Sequence, residues 1–305
     1  MKSAASSVAS VPACSSGRRA PGIPWADYLE LTKPDVTSLV VVSTFAGFYL
    51  GARGPLDWPL LVSTLFGTTL VSAGTAAFNH YLEREDDALM RRTARRPLPA
   101  GRLEPAAALW FAAFVSLLGV VCLCLLVNPL SGLLALATCA SYLFLYTPLK
   151  KKTVLCTAAG ALPGAMPPLI GWAAARNALT PEAWILYSIL FFWQFPHFLS
   201  IAWIYRDDYA RAGLLMLPVV DPSGRATGRQ MVLFAALLLP VSLLPAFLGL
   251  TGRLYFYGAL LLGVAFLLCA GQMARAPSTR HARRLLQASI VYLPLLFTLL
   301  LFSKQ

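Results

Sequence analysis

The sequence predicts an all-α membrane protein of about nine transmembrane helices around a central cavity. Composition gives the first reason: of 305 residues, 58% are hydrophobic and only 12% charged, with a mean hydropathy of +0.66. Soluble domains carry roughly a quarter charged residues. The apolar stretches are also continuous rather than alternating, which favours helices over a β-barrel, because a backbone in lipid must satisfy its own hydrogen bonds. Finally, each stretch is close to the ~20 residues a helix needs to cross hydrocarbon.

In chain order the stretches fall at about 36–51, 58–80, 105–127, 129–147, 153–175, 181–205, 229–250, 254–273 and 285–302. Pro163, Pro167 and Pro168 lie inside the fifth, where they should kink the helix and free backbone carbonyls, as happens where a cavity is lined. Alternating the loops between two sides sorts the cations. One side receives Lys2, Arg18, Arg19 and Lys33 before the first helix, and Arg84, Arg91, Arg92, Arg95, Arg96 and Arg102 after the second. It also receives Lys150, Lys151 and Lys152 after the fourth, Arg206, Arg211, Arg225 and Arg229 around the sixth-to-seventh loop, and Arg275, Arg280, Arg283 and Arg284 before the ninth. Only Arg53, Arg176, Arg253 and Lys304 fall opposite. The positive-inside rule then places the N-terminus in the cytoplasm and the C-terminus outside. The same split accounts for the net charge of +12, so no nucleic-acid partner is needed.

Residues 1–24 are Ser/Ala-rich and free of acids, and lack an apolar core of signal length, so they read as a disordered N-terminal tail preceding a single intramembrane domain at 25–305. A transit peptide shares that composition. The excess of Arg over Lys, with abundant Ala and Leu, suggests a bacterial source and hence the cytoplasmic (inner) membrane. The six cysteines show no metal-site spacing and read as small core residues without disulfides.

Acidic residues are scarce, 13 in all, and six of them fall at two places on the cation-rich side: Glu83, Glu85, Asp86 and Asp87 after the second helix, and Asp207 with Asp208 after the sixth. Asn79, Glu83 and Asp87 stand at i, i+4 and i+8, which on a continuing helix sets three oxygen ligands along one face. A solvated loop of ion pairs would explain charge in general. It does not explain why Asn79 lies within the apolar segment, or why arginines follow the acids at once. Hard cations such as Mg²⁺ bind through one or two carboxylates plus phosphate oxygens, and cationic side chains hold phosphate. Lys33 precedes the first helix as the Lys150–Lys152 run precedes the fifth, and an acidic cluster follows the next helix in each case. Two related helix sets would therefore face each other across one site.

The stretch "NHYLEREDDALMRRTARRPLPAG" resembles the first signature of the UbiA superfamily of intramembrane prenyltransferases, an Asn-x-x-x-Asp-x-x-x-Asp pattern running into Arg-Thr-x-x-Arg-Pro-Leu, with Glu83 in place of the middle aspartate. The resemblance covers nearly the whole chain. The segments "GAMPPLIGW" and "PHFLSIAWIYRDDYARAGLLMLP" look like the branch that farnesylates protoheme IX. A second Asp-x-x-x-Asp is missing, since Arg211 and Ala212 stand four residues after Asp207 and Asp208.

The resemblance implies a prenyltransferase that joins the farnesyl group of farnesyl diphosphate to the 2-vinyl group of heme b with addition of water, releasing diphosphate. Mg²⁺ would be held on the side of Asn79, Glu83, Asp87, Asp207 and Asp208, and the diphosphate by Lys33, Arg91, Arg95 and Lys150. Asp87, Asp208 and Lys150 would be catalytic, and the site would face the cytoplasm. His197, in the apolar sixth helix, would bind heme: a polar side chain there is functional by default, and imidazole is the usual protein ligand of heme iron. A hydrogen bond to a neighbouring helix is its structural alternative. Gln194, Trp193 and Trp203 are candidate pocket walls; His80 reads as helix-end packing, His281 as surface, and Arg102 as a loop anchor. Membrane lipid surrounds the chain, and a downstream heme-modifying enzyme is the candidate protein partner. Two rivals remain: prenylation of an aromatic quinone precursor by the same chemistry, and a secondary transporter, which would place charges near helix centres rather than at their ends.

Overall fold

Proline placement and helix length explain most of the architecture seen in a computed structural model, which describes residues 24–304; the expected tail at 1–24 lies almost wholly outside them. A short helix α1 (Trp25–Leu31) leads into α2 (Pro34–Gly51), α3 (Trp58–Leu82), a short α4 (Arg84–Leu89) and α5 (Pro105–Leu126). Next, α6 (Pro129–Ala140) runs through a π-helical turn at Ser141–Tyr146 into α7 (Thr147–Leu149). Helices α8 (Cys156–Gly164), α9 (Pro167–Arg176) and α10 (Pro181–Ile204) follow, then short α11 (Arg206–Arg211) and α12 (Leu217–Val220). The chain closes with α13 (Arg225–Phe247), α14 (Arg253–Arg275) and α15 (Thr279–Phe302). Proline opens α2, α3, α5, α6, α9 and α10 within the first two positions, where its missing N–H costs nothing.

Among the described residues eight segments are long and apolar enough to cross a membrane, one fewer than the about nine expected. The fifth stretch, 153–175, is not one helix. It stops at Ala165 and restarts at Pro167 as α8 and α9, because two consecutive prolines remove two N–H donors and clash with the preceding turn. The prolines therefore break this segment rather than bend it.

Burial shows which helix is central. In α10 56% of the apolar window is buried, against 22% in α5, whose Trp110, Phe114 and Leu125 are exposed. The main core gathers Trp172, Leu186, Ile189, Trp193 and Trp203 with Tyr255, Tyr292 and Phe297, so the broken segment, α10 and the last three helices share one interior. Small residues bring backbones together where lipid supplies no hydrophobic drive. At Gly171 of α9 an added Cβ would lie 1.9 Å from the Thr44 carbonyl oxygen of α2, and at Gly47 of α2 one would lie 2.1 Å from that of Pro168. Gly171→Ala is therefore expected to cost at least ~1–3 kcal/mol by overpacking, read as a lowered unfolding midpoint in detergent.

Candidate active site

Two long helices end alike. α3 stops at Glu83 and α4 begins one residue later; α10 stops at Tyr205 and α11 begins one residue later. Both junction residues leave helical geometry (φ −97°, ψ 7° at Glu83; φ −109°, ψ 23° at Tyr205). Each six-residue helix carries the acids in its first turn. The bend at Glu83 does not destroy the ligand register. Glu83 N–H still donates to Asn79 O at 3.0 Å, and Asp87 N–H to Glu83 O at 2.8 Å, so the i, i+4, i+8 face passes through the kink.

The cations arrive from separate elements. Lys33, the N-cap of α2, has a left-handed backbone (φ 46°). For a non-glycine residue this costs of order 1–3 kcal/mol and persists only where the surroundings impose it. Its Nζ donates to Asn79 Oδ1 at 2.6 Å. Lys150 follows the π-helical turn, a feature frequent at functional sites. Its Nζ lies 2.5 Å from Glu83 Oε1 and 4.4 Å from the Tyr146 ring centre. Arg96 Nη1 donates to Asp87 Oδ2 at 2.7 Å, while Thr93 Oγ1 donates to the Asp87 carbonyl at 2.9 Å and fixes the turn that delivers Arg96.

The second cluster meets the first through Arg92. Its backbone N–H points at Asp208 Oδ2 (3.4 Å), its guanidinium donates to the Tyr209 hydroxyl at 3.3 Å, and it stacks 4.7 Å from the Tyr205 ring centre. Arg211 closes on Asp208 as well, and Met90 packs with Ala212 and Leu214 beneath. The loop after α4 is thus seated on the segment after α11.

These charges set one another's protonation. Burial alone would raise the Glu83 carboxyl, but Lys150 and Lys33 outweigh it and hold Glu83 below its ordinary value. Burial likewise opposes the Lys150 ammonium, yet Glu83 and the Tyr146 and Tyr142 hydroxyls keep it well above its ordinary value. Both members of the pair are therefore charged. For Lys33 the balance goes the other way: burial, and then Arg96, outweigh Glu83 and Asp87 and lower it to about 7.

The structure brings Asn79, Glu83, Asp87, Asp208, Lys33 and Lys150 of the expected residues together. Asp207 is not among them; its side chain is 90% exposed, 3.9 Å from Arg206. Arg91 and Arg95 are also exposed and make no ion pair among the described residues. Arg92, itself exposed, and half-buried Arg96 make the contacts with the acidic segments instead, and they hold the two arginine places of the Arg-Thr-x-x-Arg-Pro-Leu segment; its register was the signal. Asp86 pairs with Lys151 at 2.7 Å. Arg102 anchors the loop to α1 through Asp27 and Glu30.

His197 lies deeper in α10, its Nδ1 2.7 Å from Ser289 Oγ of α15 and its ring stacked 4.7 Å from that of Trp193. Ser289 donates its single hydroxyl proton to Leu286 O at 2.6 Å, so it accepts from His197 Nδ1–H. The lone pair is then on Nε2, the tautomer a metal ligand requires.

Every acid of the inner cluster is covered by a cation or N–H donor, yet several polar atoms are orphaned. Asp87 Oδ1, Asn79 Nδ2 and both ring nitrogens of His80 are buried without a hydrogen-bond partner. Such groups call for a missing partner. The donor set suits a hard cation held through one or two carboxylates and completed by phosphate oxygens. No three of the described His, Cys, Asp or Glu residues gather into a metal cluster of their own.

Similarity to known proteins agrees with this geometry. Residues 40–299 match the model of the UbiA prenyltransferase family. A protoheme IX farnesyltransferase from Solibacter usitatus is 51% identical over 287 residues, covering 91% of this chain and 98% of the relative. One from Koribacter versatilis is 49% identical over 288 residues, covering 91% and 93%. Among solved structures, a digeranylgeranylglyceryl phosphate synthase superposes with a TM-score of 0.77 at 18% identity, covering 92% of this chain and 98% of that one. A UbiA homologue from Archaeoglobus fulgidus bound to DMAPP and Mg²⁺ does so with a TM-score of 0.65 at 18% identity, covering 90% and 99%. The chain belongs to the UbiA prenyltransferase family.

Proposed function

We propose that this chain transfers the farnesyl group of farnesyl diphosphate to the 2-vinyl group of heme b, with addition of water, to give heme O. The observation that supports it most is the pairing of α4 and α11, which sets Asp87 and Asp208 beside a ring of cations at one end of the bundle. The relatives named protoheme IX farnesyltransferase supply the choice of acceptor.

The diphosphate headgroup lies between the two short helices. Lys150 and Arg96 turn from their carboxylate partners, Lys33 from the Asn79 carboxamide and Arg92 from the Tyr209 hydroxyl, toward its oxygens, while Arg91 and Arg95 stand at the rim. Asn79, Glu83, Asp87 and Asp208 face the metal side, with the orphaned Asp87 Oδ1 as the ready ligand and Asp207 at the solvent edge. Bound Mg²⁺ would supply neutralisation of the charge that develops on the leaving diphosphate. As the C1–O bond of farnesyl breaks, the preset lysine and arginine donors stabilise the leaving group without reorganising. The vinyl carbon bonds to C1, and water adds to the resulting cation beside the porphyrin ring, assisted by Asp208. The apolar interior of the bundle shields the allylic cation from early hydrolysis.

The acids face the cytoplasm, and the broken α8–α9 segment counts as a ninth, discontinuous crossing that leaves the C-terminus outside. The protein resides in the bacterial inner membrane. A downstream heme-modifying enzyme is its candidate protein partner.

The function is tested by incubating the purified protein with heme b, farnesyl diphosphate and Mg²⁺. The expected products are a more hydrophobic heme and equimolar diphosphate. Prenylation of an aromatic quinone precursor with heme b left unchanged would sink the reading. Within it, Arg96→Gln is expected to lower kcat/KM by ~10²-fold, the scale of one lost transition-state donor, and Arg95→Gln by less than about tenfold; steady-state kinetics separate them. His197→Ala should weaken heme b binding at least ~10-fold, as loss of a metal ligand or its partner does, with the optical spectrum of the bound heme shifted.

A further inference from the structure

At the end of the bundle away from the acids, three cations converge on a cavity that the prenyl-transfer chemistry does not use. Tyr49 is 16 residues along α2 from Lys33, roughly 24 Å at 1.5 Å per residue. There α2, α9 and α15 end together, and Gly252 N–H donates to Ser303 O at 2.9 Å to tie the α13–α14 connection to the C-terminal segment. The cavity measures about 590 Å³ and is lined by Tyr49, Arg53, Arg176, Leu250 and Lys304 among others, with no acidic residue in its wall. The lining cations are three of the four Lys and Arg residues that the sequence leaves on this face.

Two of the three are fixed in place. Lys304 Nζ donates to Tyr49 O at 2.6 Å and to Ala52 O at 2.9 Å and lies 4.6 Å from the Tyr49 ring centre. Arg176 Nε donates to Gly51 O, and its guanidinium lies 5.4 Å from the Trp172 ring centre. Capping the last carbonyls of α2 explains those contacts. It leaves the terminal nitrogens of Arg176 and the side chain of Arg53 without a hydrogen bond among the described residues; the one carboxylate that acts on both, Glu182, lies outside the cavity wall. It also gives no reason for like charges to surround an open space, where they oppose one another: burial, and then Arg176, hold the Lys304 ammonium below its ordinary value.

An anion removes that conflict. Guanidinium groups bind phosphate through paired N–H donors, and the volume falls within the ~300–1,000 Å³ of small-molecule sites. The depth points to its source. Trp58, Phe247 and Phe302, at helix ends on this same face, are exposed, as aromatic residues at a membrane–water interface are.

We infer that the Arg53–Arg176–Lys304 cavity binds a phosphate-class anion, the phosphodiester headgroup of an anionic phospholipid from the leaflet opposite the acidic site. Its occupant clamps the ends of α2, α9 and α15 and takes no part in prenyl transfer.

Native mass spectrometry of the full-length protein in neutral detergent tests this, with phosphatidylglycerol, phosphatidylcholine or inorganic phosphate added in turn. Arg53→Gln is the primary variant, because its side chain is exposed and its removal breaks no hydrogen bond among the described residues; Lys304→Gln is the second. The parent should retain one phosphatidylglycerol under activation that strips phosphatidylcholine, with a melting temperature raised by that lipid. Arg53→Gln should bind it at least about fivefold more weakly, the double variant more weakly still, and both should keep the parent's kcat. Retention of phosphatidylglycerol by Arg53→Gln at the parent's level, or equal retention of phosphatidylcholine by the parent, overturns the inference. Stabilisation of the parent but not of Arg53→Gln by inorganic phosphate, with no effect of phosphatidylglycerol, overturns the lipid source.

Discussion

Asp87→Asn is expected to lower kcat/KM for farnesyl transfer by ~10²–10³-fold, the cost of removing preset stabilisation of a charged transition state. Asp87 is 1% exposed, and its two oxygens do different work. Oδ2 holds Arg96, whereas Oδ1 has no partner. Asparagine keeps the size and can still offer an oxygen to Arg96, so the turn at Thr93 should survive and the protein should fold. What it loses is the negative charge a hard cation needs. The dependence of rate on Mg²⁺ concentration should therefore shift to higher concentration along with the fall in rate. A pure folding defect would lower the amount of active enzyme without moving that dependence.

Lys150→Met should cost ~3–5 kcal/mol of stability, because it leaves the Glu83 carboxylate buried without its partner. The two side chains are 13% and 12% exposed, so water screens the pair little. Methionine retains the stem that packs on Tyr146. Adding Glu83→Gln to Lys150→Met should recover most of that stability, since removing both partners of a buried pair is often nearly neutral. Activity should stay low in the double variant, because neither the metal side nor the diphosphate side is restored. A double-mutant cycle in thermal unfolding and kcat measures both effects. Recovery of stability together with activity would make the pair a structural strut only.

Much of this site can be read in the chain before it folds. Membrane class follows from composition, and the acids stand out because so few exist. Asn79, Glu83 and Asp87 are spaced for one helical face, and their hydrogen-bond register survives the interruption at Glu83. Periodicity could not supply what depends on irregular backbone. Arg92 and Arg96 are brought to the acidic segments by the bends between Met90 and Leu103, where no 3.6-residue repeat holds, so a choice by proximity to the acids favours Arg91 and Arg95. The left-handed Lys33 lies before a proline and carries no local signal of its conformation. The break between α8 and α9 was visible as prolines, but whether prolines bend or sever a helix depends on what packs around them. Here the close approach of Gly47 to Pro168 and of Gly171 to Thr44 seats the severed half against α2. The third cation group, at Arg53, Arg176 and Lys304, is scattered over the sequence and meets only where three helices end.

One measurement reaches the assignment of the prenyl diphosphate site most directly: a structure of the protein with a non-hydrolysable farnesyl diphosphate analogue and Mn²⁺ in place of Mg²⁺, with the anomalous signal of the metal recorded. The expected result is a metal peak against Asp87 on α4, with the diphosphate oxygens reached by Lys33, Arg96 and Lys150 and with Asp208 across from it on α11. A diphosphate found in the Arg53–Arg176–Lys304 cavity, or a metal peak away from both short helices, would contradict it.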